Sequence, residues 1–226
     1  MIFTESFLWV HVPKTAGMSL QNFLVNSLDD EIIYLVTKSK DSDLSKYIHC
    51  DRKIEHIYGG RHLNINESLN LYREKFFSNP KMILTVIRDP IELIFSYYHH
   101  LLKPEVHKVR GMTKENIWGH PKLALSENFD KFGSRPKIFY GLSDEKLMNY
   151  YQCDYDIKLE IVPLDFLNEY LSNSSFFRKG NATLEKRNSS KKTNQIISVD
   201  TKQRIYKNYP KYSSLFNEIT SSFLYS

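Results

Sequence analysis

The sequence predicts an α/β protein, on two observations. Short apolar or β-branched runs bounded by breakers recur along the chain, and stretches of helical spacing lie between them. Strands alternating with helices over 226 residues point to βαβ units and a parallel sheet covered on both faces. That length is about one and a half typical domains. With no Gly/Ser or Pro linker, internal repeat or low-complexity segment, residues 1–226 read as a single domain.

The elements follow in order. Phe7 to Val12 is a buried strand stopped by Pro13, and Met18 to Leu28 a helix entered past Gly17. Glu31 to Val36 and Ile54 to Tyr58 are strands, and Glu67 to Phe77 is a helix. Met82 to Ile87 is the next strand, and Ile91 to Leu102 the helix after it. There Asp89 suits the N-cap, Pro90 the first turn and Glu92 the far corner of a capping box. Residues 103–137, rich in charge, Gly and Pro, read as a surface excursion. Asp144 to Tyr151, strand Lys158 to Val162, helix Leu164 to Leu171 and a helical pattern over 200–222 complete the chain.

Composition bounds the function. Hydrophobic residues are 41% and charged residues 25%, with 14 Phe and 15 Tyr, which is globular rather than disordered. The two cysteines, Cys50 and Cys153, exclude a disulfide framework and a four-cysteine zinc site, and favour a reducing compartment. His49, Cys50, His56 and His62 fit no zinc spacing, so no metal is expected. The N-terminus has no basic n-region and its apolar run is short, so a cytoplasmic protein without a membrane partner is expected. The net charge of +5 comes from 31 basic and 26 acidic residues. Residues 178–192 hold six of the basic residues, Arg187 among them, and Glu185 as the one acidic residue, leaving 25 of each sign elsewhere. Such a run is either a solvated loop or an anion site.

Two segments carry chemistry. In FLWVHV-PKTAG-MSLQNFLVNSL, a loop joins the carboxyl end of a strand to a helix start, where ligands bind in open α/β sheets. Gly17 permits a sharp turn and close approach, and amides from Thr15 to Leu20 point into the concavity. A helix start is an anion site for phosphate or sulfate; Lys14 adds a full charge, and Thr15 and Ser19 add hydroxyls. Lys14 precedes Gly17, so the order differs from GxxxxGK[ST]. In KMILTVI-RDP-IELIFSYYHHLL the plan repeats. Arg88 offers a donor fork matched to phosphate, and Ser96 lies nearly two helical turns on. Together they suit a ligand with phosphates at both its 5′ and 3′ ends.

At this point the chain resembles the sulfotransferases that use 3′-phosphoadenosine 5′-phosphosulfate (PAPS), and within them the carbohydrate branch of heparan sulfate 2-O type. HVPKTAGMSL is similar to the 5′-phosphosulfate loop of HIPKTAGTS type, and VIRDPIELIFSYY to the 3′-phosphate motif of RDPxxRxxSxY type. FFRKGNATLEKRNSSKK resembles the branch's basic C-terminal segment. Leu93 stands where the second motif often has Arg, and Met18 where the first has Thr or Ser.

The resemblance implies a three-layer P-loop-like fold with a central parallel sheet flanked by helices, and PAPS as donor co-substrate without metal. Lys14 would contact the phosphosulfate, with Thr15, Ala16, Gly17, Met18 and Ser19 cradling it. Arg88 and Ser96 would hold the 3′-phosphate, aided by Arg187 from the basic segment 176–195. The acceptor is a carbohydrate or similar hydroxyl-bearing molecule, met by residues 103–157. The family's base lies between the two motifs; in HIYGGRHLNINE the pattern falls on His62, with His56 and Glu67 also open. His62 and Lys14 are therefore the catalytic candidates.

Two other readings remain. A P-loop-type nucleotide kinase lacks here its GxxxxGK[ST] loop and an obvious metal carboxylate. A nucleic-acid-binding module would use residues 178–192 with Phe176 and Phe177, and would bind with steep salt dependence. Under the sulfotransferase reading no nucleic-acid partner is expected.

Overall fold

The computed structural model describes residues 1–37, 53–58, 60, 62–113, 116–177 and 196–225. In chain order its elements are β1 Ile2–Phe3, β2 Phe7–Val10, α1 Gly17–Ser27, β3 Ile32–Thr37, β4 Lys53–Tyr58, α2 Ile65–Phe76, β5 Met82–Ile87 and α3 Pro90–Leu101. There follow α4 Pro104–Val109, α5 Gly119–Ser126, α6 Phe129–Gly133, α7 Asp144–Met148, β6 Lys158–Pro163, α8 Leu167–Asn173, α9 Val199–Asn208 and α10 Pro210–Leu224. They fall into two compact units: residues 1–87, 149–187 and 219–226 in the first, 88–148 and 188–218 in the second.

The first unit holds a six-stranded sheet of order β4-β3-β1-β2-β5-β6. β3 and β4, β2 and β5, and β5 and β6 pair in parallel, whereas β1 is antiparallel to both β2 and β3. The sheet is therefore mixed, which corrects the expectation of a purely parallel one. The reason is local. Ile2 pairs with Trp9 and Phe3 with Leu8, and the Thr4 amide donates to the Phe7 carbonyl at 2.9 Å. Glu5 and Ser6 thus form a two-residue hairpin turn, which only antiparallel strands allow. A strand of two residues is too short to leave a periodic signal in the sequence.

Helices flank the sheet on both faces. Ile2, Trp9, Leu35 and Leu84 pack with Leu20 and Leu24 of α1 and with Leu167 and Leu171 of α8. On the opposite face Phe3 and Tyr34 meet Tyr72 and Phe76 of α2 at ring separations of 5.4 to 6.0 Å. Strands buried on both faces read as continuous apolar runs, and all six residues of β5 are buried. From β2 the chain leaves through α1 towards β3; it returns through α2 to β5 on the other side of β2. The order reverses at the carboxyl end of β2, where an open α/β sheet offers its crevice.

The second unit is helical. Residues 103–137, expected as a surface excursion, carry α4, α5 and α6. Phe129 and Phe132 are fully buried there, against Phe95 at 4.9 Å and Tyr98 at 5.1 Å respectively. Helices of five to eight residues are shorter than the window in which helical spacing registers. The Asp130 carboxylate accepts from the Ser198 amide and hydroxyl at 3.1 and 3.0 Å, which ties the start of α9 to α6. The helical pattern over 200–222 divides at Tyr209, because Pro210 lacks an amide to continue α9 and suits the first position of α10. Among the described residues no helix is long and apolar enough to cross a membrane.

Candidate functional site

The loop between β2 and α1 is held in an unusual backbone. Lys14 and Ala16 both take positive φ, 70° and 59°, a left-handed conformation that costs a residue with a Cβ on the order of 1–2 kcal/mol. Thr15 between them is buried, and its hydroxyl donates to the Val12 carbonyl at 2.8 Å. That bond commits the one proton of the hydroxyl expected to face a ligand, and pins the loop. Ala16 is the N-cap of α1; it makes no side-chain cap, and the first turn holds no acidic residue. By contrast Asn64 caps α2 and Asp89 caps α3. A left-handed residue followed by a helical one turns successive amides into a shared concavity, and the helix dipole lies behind it. Ser19 is buried and Met18 exposed.

Gly17 corrects one sequence argument. It is the first residue of α1 and its φ is not positive, so conformational freedom does not explain it. Space does: a Cβ there would lie 1.7 Å from Nε2 of His11. The His11 ring is 7% exposed. It stacks on Trp9 at 5.1 Å and meets the His62 ring at 4.7 Å.

His62 stands two residues before Asn64, the cap of α2. Its Nδ1 lies 3.3 Å from the His11 carbonyl. A carbonyl only accepts, so this contact puts the proton on Nδ1 and the basic lone pair on Nε2. The Tyr150 hydroxyl donates to the His62 carbonyl at 2.8 Å and anchors the segment from 88 residues away. The other two base candidates sit differently. His56 lies inside β4 opposite Leu35, and its Nε2 is buried with no hydrogen-bond partner among the described residues. Glu67 closes the α2 capping box, accepting from the Asn64 amide at 2.9 Å.

In the second unit Arg88 begins the connection into α3. Its carbonyl accepts from the Tyr212 hydroxyl at 2.6 Å, and its amide donates to the same oxygen at 3.2 Å. Its guanidinium pairs with the Glu92 carboxylate at 3.0 Å; the Arg88 side chain is 19% exposed and that of Glu92 58%. Glu92 therefore turns to Arg88 rather than completing a capping box. Asp89 alone caps α3, accepting from the Ile91 and Glu92 amides at 2.9 and 3.0 Å. Burial raises the Asp89 carboxyl above its usual range, against those two amide bonds. Ser96 is buried on α3, and Leu93 is buried core, which gives the departure from the family motif a packing role.

The structure thus gathers His11, Gly17 and His62 in the first unit, beside the loop of Lys14, and Arg88, Glu92, Asp89 and Tyr212 in the second. Arg187, with residues 178–195, lies outside the described residues, as do His49 and Cys50. A polar cleft on the second unit, lined by Asp130, Lys131, Arg135, Ser198, Thr201 and Arg204, contains none of the sequence-predicted residues. Its cations are paired internally, Arg135 and Lys131 with Glu127 and Arg204 with Asp200. Sequence reasoning missed His11 and Tyr212. The signal for His11 was its position three residues before the motif's Lys–Thr pair, at a strand end. Comparison of the chain with protein-family models, with curated proteins and with solved structures gives no match.

Proposed function

We propose that this chain is a sulfotransferase of P-loop-like architecture, moving a sulfonate from PAPS to a hydroxyl of a carbohydrate or similar polar acceptor. The observation that carries the reading is the β2–α1 loop. Two non-glycine residues held left-handed on either side of a pinned Thr15, ahead of a helix without a side-chain cap, form a preorganised anion cradle at the sheet's reversal point. Strain of this kind collects at functional sites.

In this reading Lys14 and the amides from Thr15 to Ser19 hold the 5′-phosphosulfate. Arg88 and Ser96 take the 3′-phosphate, with Arg187 as an auxiliary. β2 and β5 run parallel as neighbours, and Arg88 follows β5 directly in the chain. His62 Nε2 accepts the acceptor hydroxyl's proton as the new O–S bond forms and the bond from sulfur to the 5′-phosphate oxygen breaks. Negative charge grows on that departing phosphate, where Lys14 and the loop amides stabilise it. No step calls for a metal ion. The cysteine content favours a reducing compartment, the cytoplasm.

Incubating the protein with PAPS labelled in its sulfonate and a panel of polysaccharides tests the reaction. Label transferred by the wild type and reduced about 10²–10⁴-fold in His62→Ala, with donor binding retained, is the expected result. Undiminished transfer by His62→Ala removes His62 as the base, and absence of transfer to every acceptor counts against the activity.

A further inference from the structure

We infer that His11 is a positioning residue, the spacer through which the segment bearing His62 and the loop bearing Lys14 are fixed to one another. As to function the inference rests on the sulfotransferase reading; as to geometry it stands on its own.

One side chain meets three partners. Trp9 of β2 backs the ring at 5.1 Å and His62 faces it at 4.7 Å. Nε2 fills the volume that a Cβ on Gly17 would take, 1.7 Å from it. The His11 carbonyl lies 3.3 Å from His62 Nδ1. Interiors this closely packed transmit a displacement of one group to its neighbours. A shift of the ring therefore moves the first turn of α1 and the imidazole proposed as base together. Misplacement of a reacting group by about 1 Å can cost about 10²-fold in rate, so a shared spacer has a catalytic consequence without touching the substrate. It also gives a physical reason for glycine at position 17 that loop conformation does not.

Size complementation tests this in the full-length protein. Gly17→Ala is expected to lower the melting temperature and to displace the His62 ring resonances in a nitrogen-15 histidine spectrum. His11→Ala opens the space, and the double variant His11→Ala/Gly17→Ala is expected to be more stable than the sum of the single effects predicts. In transfer assays His11→Ala lowers kcat about tenfold or more and also raises KM for PAPS, because Gly17 to Ser19 of the displaced turn belong to the proposed donor cradle. A double variant no more stable than the additive expectation overturns the inference, and so do His62 resonances unmoved by Gly17→Ala. If the wild type transfers no sulfonate, the functional reading fails while the melting and spectral tests still decide the packing claim.

Discussion

The Arg88–Glu92 pair makes a prediction opposite to the usual effect of altering a binding site: Glu92→Gln should tighten binding of a nucleotide carrying a 3′-phosphate. The guanidinium now meets the Glu92 carboxylate at 3.0 Å. A phosphate that takes over Arg88 must displace that carboxylate or share the guanidinium with it. An exposed pair spaced i,i+4 is worth about 0.3–1 kcal/mol, and 58% of the Glu92 side chain is exposed. A carboxylate roughly 6 Å from a phosphate dianion adds a repulsion of about 1 kcal/mol in water, less in salt. Glu92→Gln removes both terms and keeps the side chain's length. Together they amount to about 1.3–2 kcal/mol, so the expected gain is about ten- to thirtyfold in Kd at low salt, shrinking as salt is added. Calorimetric titration with 3′-phosphoadenosine 5′-phosphate measures it, and adenosine 5′-phosphate, which lacks the 3′ group, is the control that should show no gain. Unchanged or weaker binding by Glu92→Gln, or an equal gain with the control, would refute the assignment of Arg88 to the 3′-phosphate.

Other expectations follow from the same packing. Tyr212→Phe removes the hydroxyl that both donates to and accepts from the Arg88 backbone; losing it should cost about 1–3 kcal/mol, read by chemical denaturation. His99 has a buried Nε2 without a partner among the described residues, so His99→Leu should raise the melting temperature at neutral pH. Burial holds His99 below the usual histidine value, and His120 likewise, helped by repulsion from Arg110. Because the unfolded chain takes up those protons first, stability should fall as pH drops through and below about 6.5. His99→Leu should flatten that slope in a melting series from pH 7.5 to 5.5. Glu127 and Asp130 are held below their usual values, Glu127 chiefly by its bond to Arg135 and Asp130 by its bond to Thr201, and they add a loss in a separate, more acidic window.

How much of this was legible in the sequence depends on the range over which each feature is encoded. β5 and β6 announce themselves because Met82 to Ile87 and Lys158 to Val162 are local apolar runs, and so do the helices flanked by Gly17, Asp89 and Pro90. β1 does not, since two residues carry no period. The short helices around Phe129 and Phe132 also escape, because their burial comes from partners such as Phe95 and Tyr98 about thirty residues earlier. At the candidate site the strand–loop–helix setting of both motifs could be read, and the Arg88–Glu92 pair is a spacing. The left-handed backbone at Lys14 and Ala16 could not, because neither residue type predicts it. The role of Gly17 needed the position of His11, and the clamp on Arg88 comes from Tyr212, 124 residues away.

The measurement closest to the central claim is calorimetric titration of the wild type, Lys14→Ala and Arg88→Ala with 3′-phosphoadenosine 5′-phosphate in the absence of metal. Micromolar binding by the wild type, lost or weakened at least tenfold in each variant, is the expected result. No binding by the wild type, or binding indifferent to both substitutions, would contradict the account.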